Sequence, residues 1–338
     1  WQAGSELRKL PLNRMLDLSG EPWVNRLKDW AKNGATIDGK LYGLNTWSVD
    51  GWGFVYNTQL FEKLNIKVPT TYEEFIKVCE VLKSNGVTPV YENAKDLWHT
   101  PLYLNAITGE ANLNMPGLYD KLNTNQAKLT DVKEFEMLMS QMKELNDKGY
   151  LGKDVFANTW EKATEALGTG KYAMFLGYTT WQNEVEKAYP EAGAKDWKMF
   201  PSPLGVEGKP KTFGASAGGI VQLVNKDSKH LDAVRQWFNY FTQADVLDKF
   251  YKGRDGLGVP SFKDVTKEAG FGLSSITEAV NGNFVLDAQG GILYMDFNKI
   301  GSDIQAMLAG GLSPKQVIEN IDKDRIKTGK VTNSEGFK

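Results

Sequence analysis

An α/β chain divided into two lobes is the fold this sequence predicts, and three observations carry that expectation. The 338 residues exceed the size at which one hydrophobic core usually gives way to two. Between residues 69 and 91 a capped, apolar-periodic helix is followed at once by a strand, the alternation of a layered α/β lobe. No run of about 18 apolar residues occurs, so a membrane-spanning helix does not compete with that reading.

The elements follow in order. Helical patterns run over residues 8–18 and 23–30, the second entered through Ser19-Gly20-Glu21-Pro22, where proline suits a first turn. Ile37-Asp38-Gly39-Lys40 reads as a tight turn into a strand over residues 41–44. Residues 47–53 are aromatic and polar with two glycines, a poor core helix and a good site loop, before the extended Phe54-Val55-Tyr56. Thr70 or Thr71 caps the next helix, because a hydroxyl there accepts from an unpaired amide, and Glu73 and Glu74 suit its electropositive first turn. Phe75, Val78, Cys79 and Leu82 recur at helical spacing until Gly86, and residues 87–91 follow as a strand. Helices are expected over 132–148 and 160–167, stopped by Gly149 and Gly168, with a buried strand over 172–176. Residues 218–224 read as a strand and 231–241 as a helix with Val234, Trp237, Phe238 and Phe241 on one face. The last clear helix covers 313–321, capped by Ser313 with Pro314 in its first turn. There is no internal repeat, low-complexity tract or long charge block.

Composition narrows the function. Lysine plus arginine number 40 against 42 acidic residues, and a net charge of -2 gives no broad attraction for nucleic acid or an anionic membrane. The single cysteine, Cys79, forms no internal disulfide and lies where a buried thiol is expected. Scarcity of thiols is compatible with life outside the cytosol. His99 and His230 stand in no metal-binding spacing, and neither a metal nor another cofactor is expected. Gly214-Ala215-Ser216-Ala217-Gly218-Gly219 lacks the lysine-serine ending that grips nucleotide phosphates and reads as a hinge or tight strand entry. Asp50 near Trp47 and Trp52 permits a glycosidase, but that chemistry needs two carboxylates across the bond and no matched pair stands out. A sugar offers apolar faces edged by hydroxyls, so it calls for aromatic plates beside side chains that pair hydroxyls. Four places meet that need: Trp1-Gln2, residues 47–52, Asp96-Leu97-Trp98-His99 and residues 178–181.

At this point a resemblance becomes specific. Asp38-Gly39-Lys40-Leu41-Tyr42-Gly43-Leu44, then Trp52-Gly53-Phe54-Val55-Tyr56-Asn57, then Leu60-Phe61-Glu62-Lys63-Leu64-Asn65-Ile66 and Pro69-Thr70-Thr71-Tyr72-Glu73-Glu74-Phe75 resemble the signature of family 1 extracellular solute-binding proteins, the family that includes maltose-binding protein. Gly168-Thr169-Gly170-Lys171-Tyr172-Ala173-Met174-Phe175, followed by Gly177 and Trp181, is similar to the family's strand and ligand-facing loop in the second lobe. Residues 213–221 and 229–241 resemble the return across the hinge and the helix after it. The resemblance covers nearly the whole chain. It implies the type II, periplasmic-binding-protein-like α/β fold, with crossings near residues 55–57, 215–219 and 286–292. Lobe one would hold residues 1–55 and 218–287, and lobe two residues 56–217 and 288–338. The N-terminal part of lobe one is then expected upstream of Trp1, behind an export signal that in one form carries a lipid-accepting cysteine.

Residue by residue, the resemblance implies ligand contacts for Trp1 in lobe one and for Trp47, Asp50 and Trp52 in the variable loop before the hinge. It implies them also for Trp98 and His99, for Tyr178 and Trp181 in the loop that carries a stacking aromatic, and for Phe213 and Asp255. Plainer roles compete: loop packing for Trp47 and Trp52, and pinning of a loop for His99. Asp255 lies in Lys252-Gly253-Arg254-Asp255-Gly256, which departs from the family's proline-rich pattern. The implied function is extracytoplasmic binding of a carbohydrate ligand by a monomer, periplasmic or a cell-surface lipoprotein, with delivery to the permease subunits of an ABC transporter and no catalysis. A glycoside hydrolase and a non-transport sensor or adhesin are the competing classes. Product formation from a glycoside would identify the hydrolase, and a neighbouring permease gene would separate transporter from sensor.

Overall fold

The computed structural model describes the chain apart from residues 1–2, 49–50, 179, 210, 212, 216–218, 255–258, 266–283 and 287. Its opening differs from the periodicity. Short 3-10 turns at Gly4–Lys9, Leu12–Arg14 and Val24–Arg26 and the helix α1 (Asp29–Gly34) replace the two helices expected over residues 8–18 and 23–30. Pro11 interrupts the first of these, because it lacks an amide hydrogen and clashes with the preceding turn. The expected turn at Asp38-Gly39 joins β1 (Thr36–Ile37) to β2 (Lys40–Leu41), both turn residues having positive φ, as a two-residue hairpin requires.

From there strands and helices alternate, with more elements than the sequence pattern marks. The chain runs through β3 (Gly43–Ser48), β4 (Trp52–Tyr56), α2 (Thr58–Lys63), α3 (Tyr72–Ser84), β5 (Thr88–Tyr91), α4 (Leu102–Asn114), α5 (Leu118–Asn123) and α6 (Lys133–Asp147). Then come α7 (Trp160–Gly168), β6 (Tyr172–Tyr178), α8 (Gln182–Ala188), β7 (Lys198–Phe200), β8 (Phe213–Ala215), β9 (Ile220–Leu223), α9 (Leu231–Phe241), α10 (Ala244–Lys252), β10 (Val259–Pro260) and β11 (Phe284–Leu286). Helices α11 (Ala288–Gly291), α12 (Phe297–Leu308) and α13 (Pro314–Val331) close the chain. The caps lie where side-chain chemistry puts them. Thr71 accepts from the Glu74 amide, and Ser313 and Gln316 form a reciprocal capping box at the start of α13.

Two sheets organise the core. A three-stranded antiparallel sheet has the order β10-β3-β9. A six-stranded mixed sheet has the order β11-β8-β4-β6-β5, with β7 also paired to β4. Strand alternation sends side chains of the larger sheet to opposite layers. Phe54, Tyr56, Val90, Met174 and Leu176 join the cluster under α3, α4, α6 and α12, whereas Val55, Tyr91 and Phe175 join the one under α7 and α8. Burial on both faces explains why β6 reads as a continuous apolar run. A third cluster is built from residues 3–44 and 221–265, among them Trp23, Leu27, Val221 and Phe238. In α9 the expected face holds for Phe238 and Phe241, but Trp237 is half exposed. Cys79 is fully buried, and the desolvation pushes its thiol well above the ordinary range. Among the described residues no helix is long and apolar enough to cross a membrane, and no group of His, Cys, Asp and Glu is placed to hold a metal ion.

Candidate functional site: an aromatic wall and a two-sided cleft

The loop between β5 and α4 is built from its buried end outward. His99, with no exposed surface, lies 2.7 Å from Glu92 Oε1 through Nδ1 and 2.9 Å from the Leu176 carbonyl oxygen through Nε2. Asp96 accepts from the Asn93 side chain at 3.0 Å and from the Trp160 amide at 2.5 Å. With these neighbours fixed, the next residue in the loop points outward: Trp98 is 39% exposed. The loop also rests on α12, where Gly301 lets the helix approach the Leu97 backbone so closely that an added Cβ would lie 1.7 Å from its carbonyl oxygen.

Trp98 begins a chain of rings. Its centroid is 5.3 Å from that of Trp160, the first residue of α7, and Trp160 stacks on Tyr178 at 5.9 Å with the planes 15° apart. Tyr178 lies opposite Trp52 in the antiparallel register of β4 and β6, and their rings meet edge to face at 5.6 Å. Trp52, Trp160 and Tyr178 are each partly exposed. Such a row presents flat apolar surface with polar edges. Behind it the Tyr178 hydroxyl bonds Glu184, whose partial burial pushes its carboxyl above the usual range. A raised folded-state value disfavours ionisation in the fold, so this group lowers stability as pH rises from the ordinary carboxylate value through the raised one. Glu184→Gln is therefore expected to flatten that part of the stability-pH profile, read by urea unfolding at a series of pH values.

Of the sequence-predicted contacts, the structure brings Trp52, Trp98 and Tyr178 into one wall. Trp47 is on the other sheet, half-buried against the cluster of residues 3–44 and 221–265. His99, Trp181 and Phe213 have no exposed surface, so in this structure none of them offers a face to a ligand. Phe213 packs where Gly53 has no side chain; a Cβ there would fall 2.6 Å from its ring. Trp181 is wedged against Phe175 at 4.5 Å. Trp1, Asp50 and Asp255 lie outside the described residues. Trp160 was missed: at the head of a helical pattern it reads as core, and only its position beside Tyr178 sets it in the wall.

A cleft of about 1020 Å³ was missed as well. One side comes from the N-terminal segment, with Arg8, Trp30, Asn33 and Thr36, and the other from Tyr119, Asn123, Leu293, Tyr294 and Ser334. Its far side is held by backbone bonds: Asn123 donates to the Gly291 carbonyl at 2.8 Å and accepts from the Leu293 amide at 2.7 Å. Arg325 donates to the carbonyls of Leu293 and Leu122. Lys9 reaches from the first side to the Met295 carbonyl at 2.8 Å. Tyr294 sits at φ 65°, an uncommon backbone for a bulky residue, and its hydroxyl meets that of Ser334.

Comparison with known proteins identifies the fold and the family. The chain is 25% identical over 241 residues to the multiple sugar-binding protein of Streptococcus mutans, a match that covers 70% of this chain and 55% of that protein. The chain spans about half the length of that relative and of a second curated one. Among solved structures, a putative binding protein of Bacillus subtilis in an open conformation superposes with a TM-score of 0.77 at 15% identity, over 98% of this chain and 83% of that one. A sugar transporter of Bacillus licheniformis in complex with stachyose gives 0.77 at 20% identity, over 94% and 82%. The two-lobed type II fold expected from the sequence is the fold these structures share with it. The sequence profile of the bacterial extracellular solute-binding proteins matches residues 10–247, well over half of the chain, and the chain belongs to that family.

Proposed function

We propose that the chain binds a mono- or oligosaccharide outside the cytoplasm, between two lobes, and passes it unchanged to the permease of an ATP-driven importer. The observation that carries this reading is the row Trp52–Tyr178–Trp160–Trp98, in which each ring touches the next and each keeps some exposed surface. Planar rings cover the apolar faces of sugar rings, and the polar edges around them pair hydroxyls. Family membership and the sugar ligands named for two relatives support it. The lobes are taken as residues 1–55 with 218–287 and 56–217 with 288–338: the apolar cluster of residues 3–44 and 221–265 stands apart from the other two, while the crossing strands β4 and β11 pair within the six-stranded sheet of the second lobe. Trp47, Trp52, Trp98, Tyr178 and Trp160 are the ligand contacts among the described residues. Trp1, Asp50 and Asp255 keep the contacts that the family resemblance implies.

Calorimetric titration with a panel of neutral saccharides, with amino acids and dipeptides as controls, tests the reading. Saccharide binding without release of reducing sugar supports it; binding of amino acids or peptides alone, or hydrolysis, overturns it. Within that assay Trp98→Ala removes an exposed stacking face and should cost about 2 kcal/mol of binding, roughly thirtyfold in affinity, with little change in melting temperature. Unchanged affinity removes Trp98 from the site.

A further inference from the structure

We propose that His99, ion-paired with Glu92, is the positioning residue of the aromatic wall and carries a proton on each ring nitrogen. The significance for binding rests on reading that wall as the sugar site; the proton placement does not. A backbone carbonyl can only accept, so the bond to Leu176 at 2.9 Å puts a hydrogen on Nε2. Nδ1 then faces Glu92 Oε1 at 2.7 Å, with both side chains fully buried. A lone pair on Nδ1 would oppose the lone pairs of a carboxylate at that distance with no water between them, so a proton lies on this line too.

The surroundings favour nitrogen as the carrier of that proton. The His99 ring stacks on Phe175 at 5.2 Å with the planes 3° apart, and meets Trp98 at 5.4 Å and Trp160 at 5.9 Å. Aromatic rings attract a positive charge held close to them. The other ionisable groups nearby are Tyr103 of α4, whose buried hydroxyl makes no hydrogen bond among the described residues, and Asp96, which is turned toward Asn93 and the Trp160 amide. Mechanically, His99 ties the loop that carries Trp98 to the strand that carries Tyr178, and so fixes two members of the wall against each other.

Two measurements test this, and neither uses a sugar. The chain has two histidines, so nitrogen NMR of the full chain labelled at histidine, with His230→Gln for assignment, reads His99 directly. Protons on both His99 nitrogens, slow to exchange with solvent, are expected at neutral pH; an unprotonated Nδ1 overturns the assignment. The second follows the exciton signal that the Trp98–Trp160 pair should give in circular dichroism, identified by its loss in Trp98→Ala. The double variant His99→Phe with Glu92→Gln keeps a ring on Phe175 and buries no charge, and it should lose more than about half of that signal while still melting cooperatively, because coupled groups of one network shift together. A full signal in the folded double variant shows that the wall stands without His99 and overturns the positioning role. Should that variant not fold, the NMR result on the parent chain decides.

Discussion

Trp181→Ala is expected to lower folding stability by about 3–5 kcal/mol, the range for deleting a large aromatic from a core. The ring has no exposed surface and packs on Phe175 at 4.5 Å and near Trp160 at 6.2 Å, just ahead of α8. Its removal would leave a hole beneath the wall that β6 and α7 cannot close without moving Tyr178 and Trp160. Against a total stability of about 5–15 kcal/mol, that loss should show as a large fall in the urea midpoint. One detail sharpens the expectation. The indole N–H is buried with no hydrogen-bond partner among the described residues, and an unmet donor costs about 1–3 kcal/mol. Trp181→Phe gives up some contact but removes that donor, so its loss should be well under half of the alanine variant's. If Trp181→Ala instead kept full stability and lost saccharide affinity, the ring would belong to the ligand surface, where the family resemblance had put it.

Gly301→Ala should be highly damaging: among the described glycines, it is where an added Cβ would come nearest another atom. Helix propensity alone favours alanine over glycine inside a helix by about 1 kcal/mol, and Gly301 sits in the middle of α12. Packing reverses the sign. The new methyl carbon would lie 1.7 Å from the Leu97 carbonyl oxygen and 2.5 Å from its carbonyl carbon, both backbone atoms with no rotamer to escape into. Ile300, Ile304 and Met307 hold the helix in the core, so the loop is the element that must yield. Overpacking of this kind costs about 1–3 kcal/mol or more. Because Leu97 directly precedes Trp98, the displacement falls on the wall, and saccharide affinity should drop at least as far as in Trp98→Ala. Melting and calorimetry of the same sample check both parts. A variant more stable than the parent with unchanged binding would mean the loop is free to shift without consequence.

What was readable in advance depended on the range of the force involved. The α3 helix could be placed because its signals are local: a threonine cap, acidic residues in the first turn, and Phe75, Val78, Cys79 and Leu82 one turn apart. The Asp38-Gly39 hairpin and the apolar run of β6 were visible for the same reason. The opening segment misled because its periodicity resembled a helix while Pro11 broke the ladder. α4 was passed over because it has no side-chain cap and little apolar face, whereas α12 has an Asp296 cap and a face of Phe297, Ile300, Ile304 and Met307 but uses a glycine at a position where sequence alone suggests a breaker.

The candidate site divides along the same line. By itself, the sequence determined that aromatic residues cluster beside hydrogen-bonding side chains at a few loops, that charge is balanced, that the order of motifs follows one family, and that the chain is layered α/β. Trp98 and Trp181 were equivalent at that level, each a tryptophan in a loop following a strand. Only the tertiary structure decided that Trp98 faces outward while Trp181 is sealed against Phe175 and Trp160, that His99 spends both ring nitrogens on Glu92 and Leu176, and that Trp160 completes the row. The reason is physical. Caps and periodicity are set by neighbours within one or two turns, whereas the exposure of a ring is set by whatever distant segment packs against it, here strand β6 and helix α12 meeting a loop far from them in the chain.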